Sequence, residues 1–361
     1  MNKQMLQLAR EAKGLTQGEL ATSAGVSQAL ISKAEHGLAD LPEHVLAKIS
    51  ELLEVPADFF SRNEEIVGAG LVDFFHRKRL TLPAKPLRQA HAFANFIRLE
   101  SGRLLASVDI KPKLAFPVFP IGEHESPATV AQLVRSTWRT PSGPIANLLE
   151  LVEATGTPVF VQDLGHHKLA ALSMPGLTSS PVIVVNSKLS ASDRRWSLAH
   201  ELGHLVMHDR PDDHCEEEAD LFAGELLAPA NEFGPQTRNL RFSQLGALKA
   251  YWRISMFAIV RRTDYLKTNI GFDASSLYRQ INASKGIGRP EPGEFEPEVP
   301  TLVKRVIESL QKDAGYSIGE VATVMGCADD RVRTLYLGET KALRLVSSPR
   351  PTLATIDLSR S

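Results

Sequence analysis

The sequence predicts a multidomain chain that is mainly α-helical with one small β-sheet, an α+β architecture, and three observations carry that prediction. Cap signals and apolar residues at helical spacing run through both ends of the chain, as in TQGELATSAGVSQALISKAEHG from Thr16 to Gly37. Three short runs rich in Val and Leu, TPVFVQDL, KLAALSM and PVIVVNS, lie between Thr157 and Ser187, separated by Gly, Pro and Ser. Directly after them, WSLAHELGHLVMHDR (Trp196 to Arg210) places two histidines four residues apart with a glutamate after the first.

With 361 residues and 43% hydrophobic content, the chain can bury a core in each of two or three domains. No run of about eighteen apolar residues exists, and the N-terminus is charged and amphipathic, so neither a membrane span nor a signal core is expected. Two cysteines, Cys215 and Cys327, argue against a disulfide framework and fit a reducing compartment. A cytoplasmic protein is the expectation. The net charge of −1 says nothing about partners.

The first helix, MLQLAREAKG, stops at Gly14. Thr16 with Glu19 forms a capping box for the second, Gly25 makes the turn, and Ser27 caps a third that runs to Gly37. The third helix turns Leu30, Ile31 and Ala34 inward and exposes Gln28, Ala29, Ser32 and Lys33. Two short helices across a glycine turn are the arrangement of a helix-turn-helix. The stretch from Met5 to Phe60 resembles the lambda-repressor/Cro-like (XRE) family. That resemblance implies double-stranded DNA as partner, with Gln28 reading a base edge and Gln17, Ser27 and Lys33 touching phosphates or bases. Residues 1–60 hold five basic and eight acidic side chains, a net −3, so one copy should bind DNA weakly. A homodimer on a two-fold operator would compensate.

Between Arg62 and Pro141 the chain reads as helical. FFHRKRLTLPAKP, with Arg77, Lys78 and Arg79, is a basic linker, and LRQAHAFANFIRLESGRLLASV is a long amphipathic helix for spacing or dimer contact. TPSGPIANLLELVEATG reads as a proline-initiated helix ended by Gly156, ahead of the three strands. The third strand, PVIVVNS, either fills the sheet or presents an edge to an extended peptide. Ser192 is the expected cap of the histidine helix.

Residues i and i+4 of a helix lie about 40 degrees apart around its axis, so His200 and His204 can aim at one zinc ion. Glu201, about 100 degrees from His200, can reach a water in the remaining position. A metzincin site needs Gly at 207 and His at 210, where this chain has Met207 and Arg210. Downstream, HCEEEADLFAGELLAP puts Glu216 and Asp220 one turn apart on a new helix closed by Pro229, the gluzincin pattern, with Glu216 as third ligand and Asp220 orienting a histidine. His208 would overshoot the same metal, which leaves it a surface or supporting role. Glu217 and Glu218 face other directions. His214 and Cys215, in a loop, could act on an oxyanion or as a spare ligand.

PVIVVNSKLSASDRRWSLAHELGHLVMH followed by EEEADLFAGELLAP resembles the ImmA/IrrE family of zinc metallopeptidases over roughly residues 141 to 275. The resemblance implies Zn2+ on His200, His204 and Glu216, with Glu201 as catalytic base and a looser carry-over to Asp220. After LGALKAYWRISMFAIVRRTDYLKT, two helices with Ser255 capping the second, comes a loop rich in Gly, Pro and Glu. Two or three last helices follow, with a Ser317 and Glu320 capping box and a turn at Gly326. They suit packing against the peptidase part better than DNA reading, because Asp329 and Asp330 would meet phosphate.

The domains expected are 1–62, 63–140, 141–280 and 281–361. The function expected is a transcriptional regulator whose zinc-dependent peptidase part cleaves itself, at LTLPAKPLRQ, or a partner repressor to switch genes under stress. The alternative is a ligand- or metal-sensing factor, or an autoregulating antitoxin, with no turnover.

Overall fold

The computed structural model describes residues 2–67, 83–124, 126–178, 180–210, 212–267, 272–284 and 291–339. Arg77, Lys78 and Arg79 of the expected basic linker lie outside them. As predicted, the chain is mainly helical around one small sheet.

Four helices come first: α1 (Lys3–Ala12), α2 (Gln17–Ala24), α3 (Gln28–Glu35) and α4 (Glu43–Leu53). The expected caps are in place. Glu19 N donates to Thr16 Oγ1 at 3.2 Å while Thr16 N donates to the Glu19 carboxylate at 2.6 Å, and Leu30 N donates to Ser27 Oγ at 3.2 Å. Gly25 takes φ 76° between α2 and α3, a left-handed position that a side chain would strain. Met5, Leu6, Leu20, Ile31 and Ile49 form the centre of this core.

The long helix α5 (Ala84–Ala106) differs from its expected role as a spacer or dimer contact. Fifteen of its residues are buried, too many to leave a solvent stripe. One side gives Ala92, Phe96 and Leu99 to the first core, with Phe96 stacked on Phe59 at 5.0 Å. The other gives Leu87, Ala90, Ala94 and Ile97 to a second core. Two of its charged residues are bonded inward: Arg98 Nε donates to Pro175 O at 2.6 Å, and the buried Glu100 accepts from Arg331 and from the Tyr336 hydroxyl.

Next come α6 (Pro127–Thr137) and α7 (Leu148–Ala154). Helix α7 is started by Asn147, whose side chain accepts from Glu150 N, and not by a proline; Arg135 holds the carbonyls of Pro141 and Gly143 in an irregular turn ahead of it. Strands β1 (Val159–Gln162), β2 (Ala171–Met174) and β3 (Val182–Asn186) follow in sheet order β1-β3-β2. β1 runs parallel and β2 antiparallel to β3, with Phe160 opposite Val184 and Ser173 opposite Ile183. β3 is therefore the centre strand, which removes it as an edge for a peptide.

One sheet face, with Val159, Ala171, Ile183 and Val185, packs on α8 (Ala191–Met207), α9 (Cys215–Leu227), α10 (Ala230–Gln236), α11 (Phe242–Trp252), α12 (Met256–Leu266) and α13 (Ala274–Ser284). Ser190, and not Ser192, caps α8, accepting from Asp193 N at 3.1 Å; Ser192 is buried and bonded to Glu294. The other face, with Phe160, Leu172 and Val184, packs on α5, α14 (Leu302–Ala314), α15 (Ile318–Met325) and the turn Val332–Tyr336. The last helices thus cover the back of the sheet. The Ser317 and Glu320 capping box forms, and Ser255 caps α12.

Candidate metal centre and DNA-facing surface

Helix α8 carries His200, Glu201 and His204 over the sheet, and α9 crosses it closely enough to bring Glu216 to the same point. Gly203 makes that approach possible: a Cβ there would sit 2.9 Å from the Phe222 ring and 3.3 Å from Ala219 Cα. The two Nε2 atoms of His200 and His204 are 3.0 Å apart, and the Glu216 carboxylate lies 3.8 Å from the first and 3.5 Å from the second. Ligand atoms of all three residues fall within 4.8 Å of one another.

The outer nitrogens explain the orientation. His200 Nδ1 is 3.1 Å from Asp220 Oδ1, and Asp220 is itself held by the Trp196 indole and by Arg261, which stacks over that indole at 4.5 Å. His204 Nδ1 is 3.1 Å from His208 Nδ1, and His208 Nε2 is 3.0 Å from Glu218. If both outer nitrogens carry protons, the two Nε2 lone pairs face each other, an arrangement that only a shared proton or a cation relieves. Burial opposes charge on His200, but the carboxylates of Asp220, Glu201 and Glu216 outweigh it and raise its pKa. The donor set fits zinc: two imidazoles and a carboxylate, with orienting partners behind them.

Glu201 is buried, and Ser173 of β2 donates its hydroxyl to Glu201 Oε2 at 2.6 Å. No local sequence signal marks Ser173, 28 residues away in the chain. Trp196 and Arg261 were missed too, although Trp196 sits one turn before His200. Of the two roles expected for His208, the supporting one fits and the surface one does not, since its side chain is 2% exposed and it meets His204; Glu218 points back to it instead of elsewhere. Burial and the nearby His204 push the His208 pKa down to about 4, so it is neutral and can relay a hydrogen bond between His204 and Glu218. Cys215 lies buried in the first turn of α9, not in a loop, with its thiol pushed up to about 11 by burial. His214 is exposed, and its backbone N–H bonds Asp212.

Two family profiles match the chain, one described as Helix-turn-helix over residues 6–60 and one as IrrE N-terminal-like domain over residues 152–264. The chain joins a helix-turn-helix domain to an IrrE-like domain. No curated protein and no solved structure matches it.

In the helix-turn-helix domain, Gln28, Ala29 and Lys33 are exposed along α3, and Ser32 is half-buried beside them. A carboxamide there can pair with adenine, and the Ala29 methyl suits a thymine methyl. Ser27 spends its oxygen as a cap and keeps its O–H to donate. Gln17 is tied inward: its Nε2 donates at 2.8 Å to Glu35, which is paired with the buried Arg10 at 2.6 Å. The IrrE-like domain and the rest of the described residues contain no helix long and apolar enough to cross a membrane.

Proposed function

We propose that the chain is a homodimeric transcriptional regulator of a two-fold operator, and that its IrrE-like domain is a zinc peptidase that cleaves the chain itself or a partner repressor to switch genes under stress. The observation that carries this reading is the convergence of His200, His204 and Glu216, with a buried Glu201 next to the first, on one chain with an exposed Gln28 helix. The DNA part supports a regulator, and the IrrE-like part supports a protein or peptide substrate.

His200, His204 and Glu216 would hold the zinc, with Asp220 and the His208–Glu218 chain fixing the rings. When bound, zinc supplies Lewis acidity, polarising a peptide carbonyl and bringing the pKa of water toward roughly 7. Glu201 would take a proton from the attacking water and pass it to the leaving nitrogen, and Ser173 holds its Oε2 by a hydrogen bond that leaves Oε1 for that role. β2 pairs with β3 on one side only among the described residues, so its outer edge, beside Ser173, offers backbone groups to an extended peptide. Of the stretch LTLPAKPLRQ, residues from Ala84 on are the start of α5 and do not suit an extended-chain site. Leu80 to Leu82 lie outside the described residues.

Glu201→Gln tests the reading. It should retain about one zinc per chain, because the three ligands are untouched, and lose cleavage by intact mass. In cells that variant should remain locked on its operator under the inducing signal. A normal response from it would favour the sensor that does not turn over. Protein that takes up no zinc when supplied overturns the metal centre. For the DNA part, Gln28→Ala should cost about 1 to 3 kcal/mol at one base position and little on random DNA.

A further inference from the structure

The helix-turn-helix domain keeps Lys33 exposed on α3 but is short of cations at the N-terminus of α2. Of its five basic side chains, Arg10 is buried against Glu35 and Lys13 is paired with Glu54 at 2.6 Å. The N-terminus of α2 presents the amides of Gln17 and Gly18, which have no intrahelical acceptor and are suited to a phosphate oxygen, yet Glu11 and Glu19 stand near them.

We propose that the first turns of α5 form a second phosphate-binding element, in which Lys85 and Arg88 contact the DNA backbone beside the α2 N-terminus. The proposal rests on the reading of the first domain as DNA-binding. Lys85, Arg88 and Gln89 line one open cleft of about 600 Å³ together with Gln17, Gly18 and Gln28, so the cations sit on the face that carries the base-reading helix. The start of α5 is seated there: Gln89 covers Gly14 so closely that a Cβ would lie 2.9 Å from its amide nitrogen. Arg88 Nε is 3.9 Å from Glu11, and Lys85 adds to the Thr16 hydrogen bonds that hold the Glu19 carboxyl below its ordinary range. Both cations are exposed. They offset the two acids that would otherwise repel the strand, and a duplex is the occupant that matches an α2 N-terminus, a base-reading glutamine and two cations on one face.

Full-length protein titrated against a random-sequence duplex of about 30 base pairs, from roughly 50 to 200 mM salt, reads these contacts without knowing the operator. Lys85→Ala/Arg88→Ala should weaken binding about tenfold and lower the slope of log K against log salt by roughly 1.8, about 0.9 per phosphate contact. Lys85→Arg/Arg88→Lys should keep the slope, as should removal of two exposed lysines elsewhere, Lys188→Ala/Lys304→Ala. A parent that binds while Lys85→Ala/Arg88→Ala keeps the parental slope overturns the α5 contact and spares the DNA-binding reading. A parent that leaves the duplex unbound overturns both.

Discussion

At the scale of single residues, Gly203 shows a sign reversal. Glycine inside a helix costs about 1 kcal/mol relative to alanine, so Gly203→Ala would stabilise an isolated α8. Against Phe222 and Ala219 the added methyl must instead push α9 away, and Glu216 moves with it. Gly203→Ala should therefore lose about 1 to 3 kcal/mol of stability and most of its zinc, read by thermal unfolding and metal content. A variant that gains stability and binds zinc normally would show that the two helices do not need this contact. On the zinc reading, His208→Ala leaves all three candidate ligands in place but frees the His204 ring, and zinc affinity should fall about 10- to 100-fold in competition with a chelator. Unchanged affinity would leave His208 a packing residue only. The candidate ligands and the candidate base stand out in the sequence because helical spacing is a local rule, and His200, His204, Glu216 and Asp220 obey it within two helices. Ser173 and Arg261 reach the site through the fold, from a strand and from α12, and no local pattern marks a serine in a strand as the partner of a glutamate 28 residues on.

At the scale of elements, the caps Thr16, Ser27 and Ser317 were legible because each acts on an amide three residues away. Helix α5 was legible as a helix and not as a buried one, since Arg98, Glu100 and Arg103 look like a solvent stripe. Each is in fact satisfied by a partner distant in sequence: Arg103 donates to Met325 O and to Glu64, at the exit of the helix-turn-helix domain. Burial works against the charge on Glu64, but the Arg103 guanidinium and hydrogen bonds outweigh it and hold the carboxyl below its ordinary 4.5. A lowered native pKa means stability that is present above pH 4.5 and fades as the pH falls through the native value. Relative to Glu64→Gln the parent should be more stable by about 1 kcal/mol at neutral pH, with the difference closing in acid, measured as unfolding midpoints across pH. A difference that persists unchanged below the native pKa would assign it to packing instead of charge.

At the scale of the whole molecule, chelation should lower the unfolding midpoint, because zinc at about 100 times its Kd adds about 2.7 kcal/mol to the folded state. A midpoint insensitive to both chelator and added zinc would argue against a bound metal. Helix α5 also decides what a peptide cut could accomplish. Phe96, Ala92 and Leu99 belong to the core of the helix-turn-helix domain, although they come after its last helix in sequence. A break anywhere between Arg62 and Ala84 therefore separates the reading head from part of its own interior. The two pieces stay together only as a bimolecular complex, and dilution, not geometry, sets how long they do. Once apart, the head carries an uncovered apolar face around Phe59, the kind of surface that cellular quality control removes. Such a switch would work by disposal: it would not reset, and recovery would wait on new synthesis.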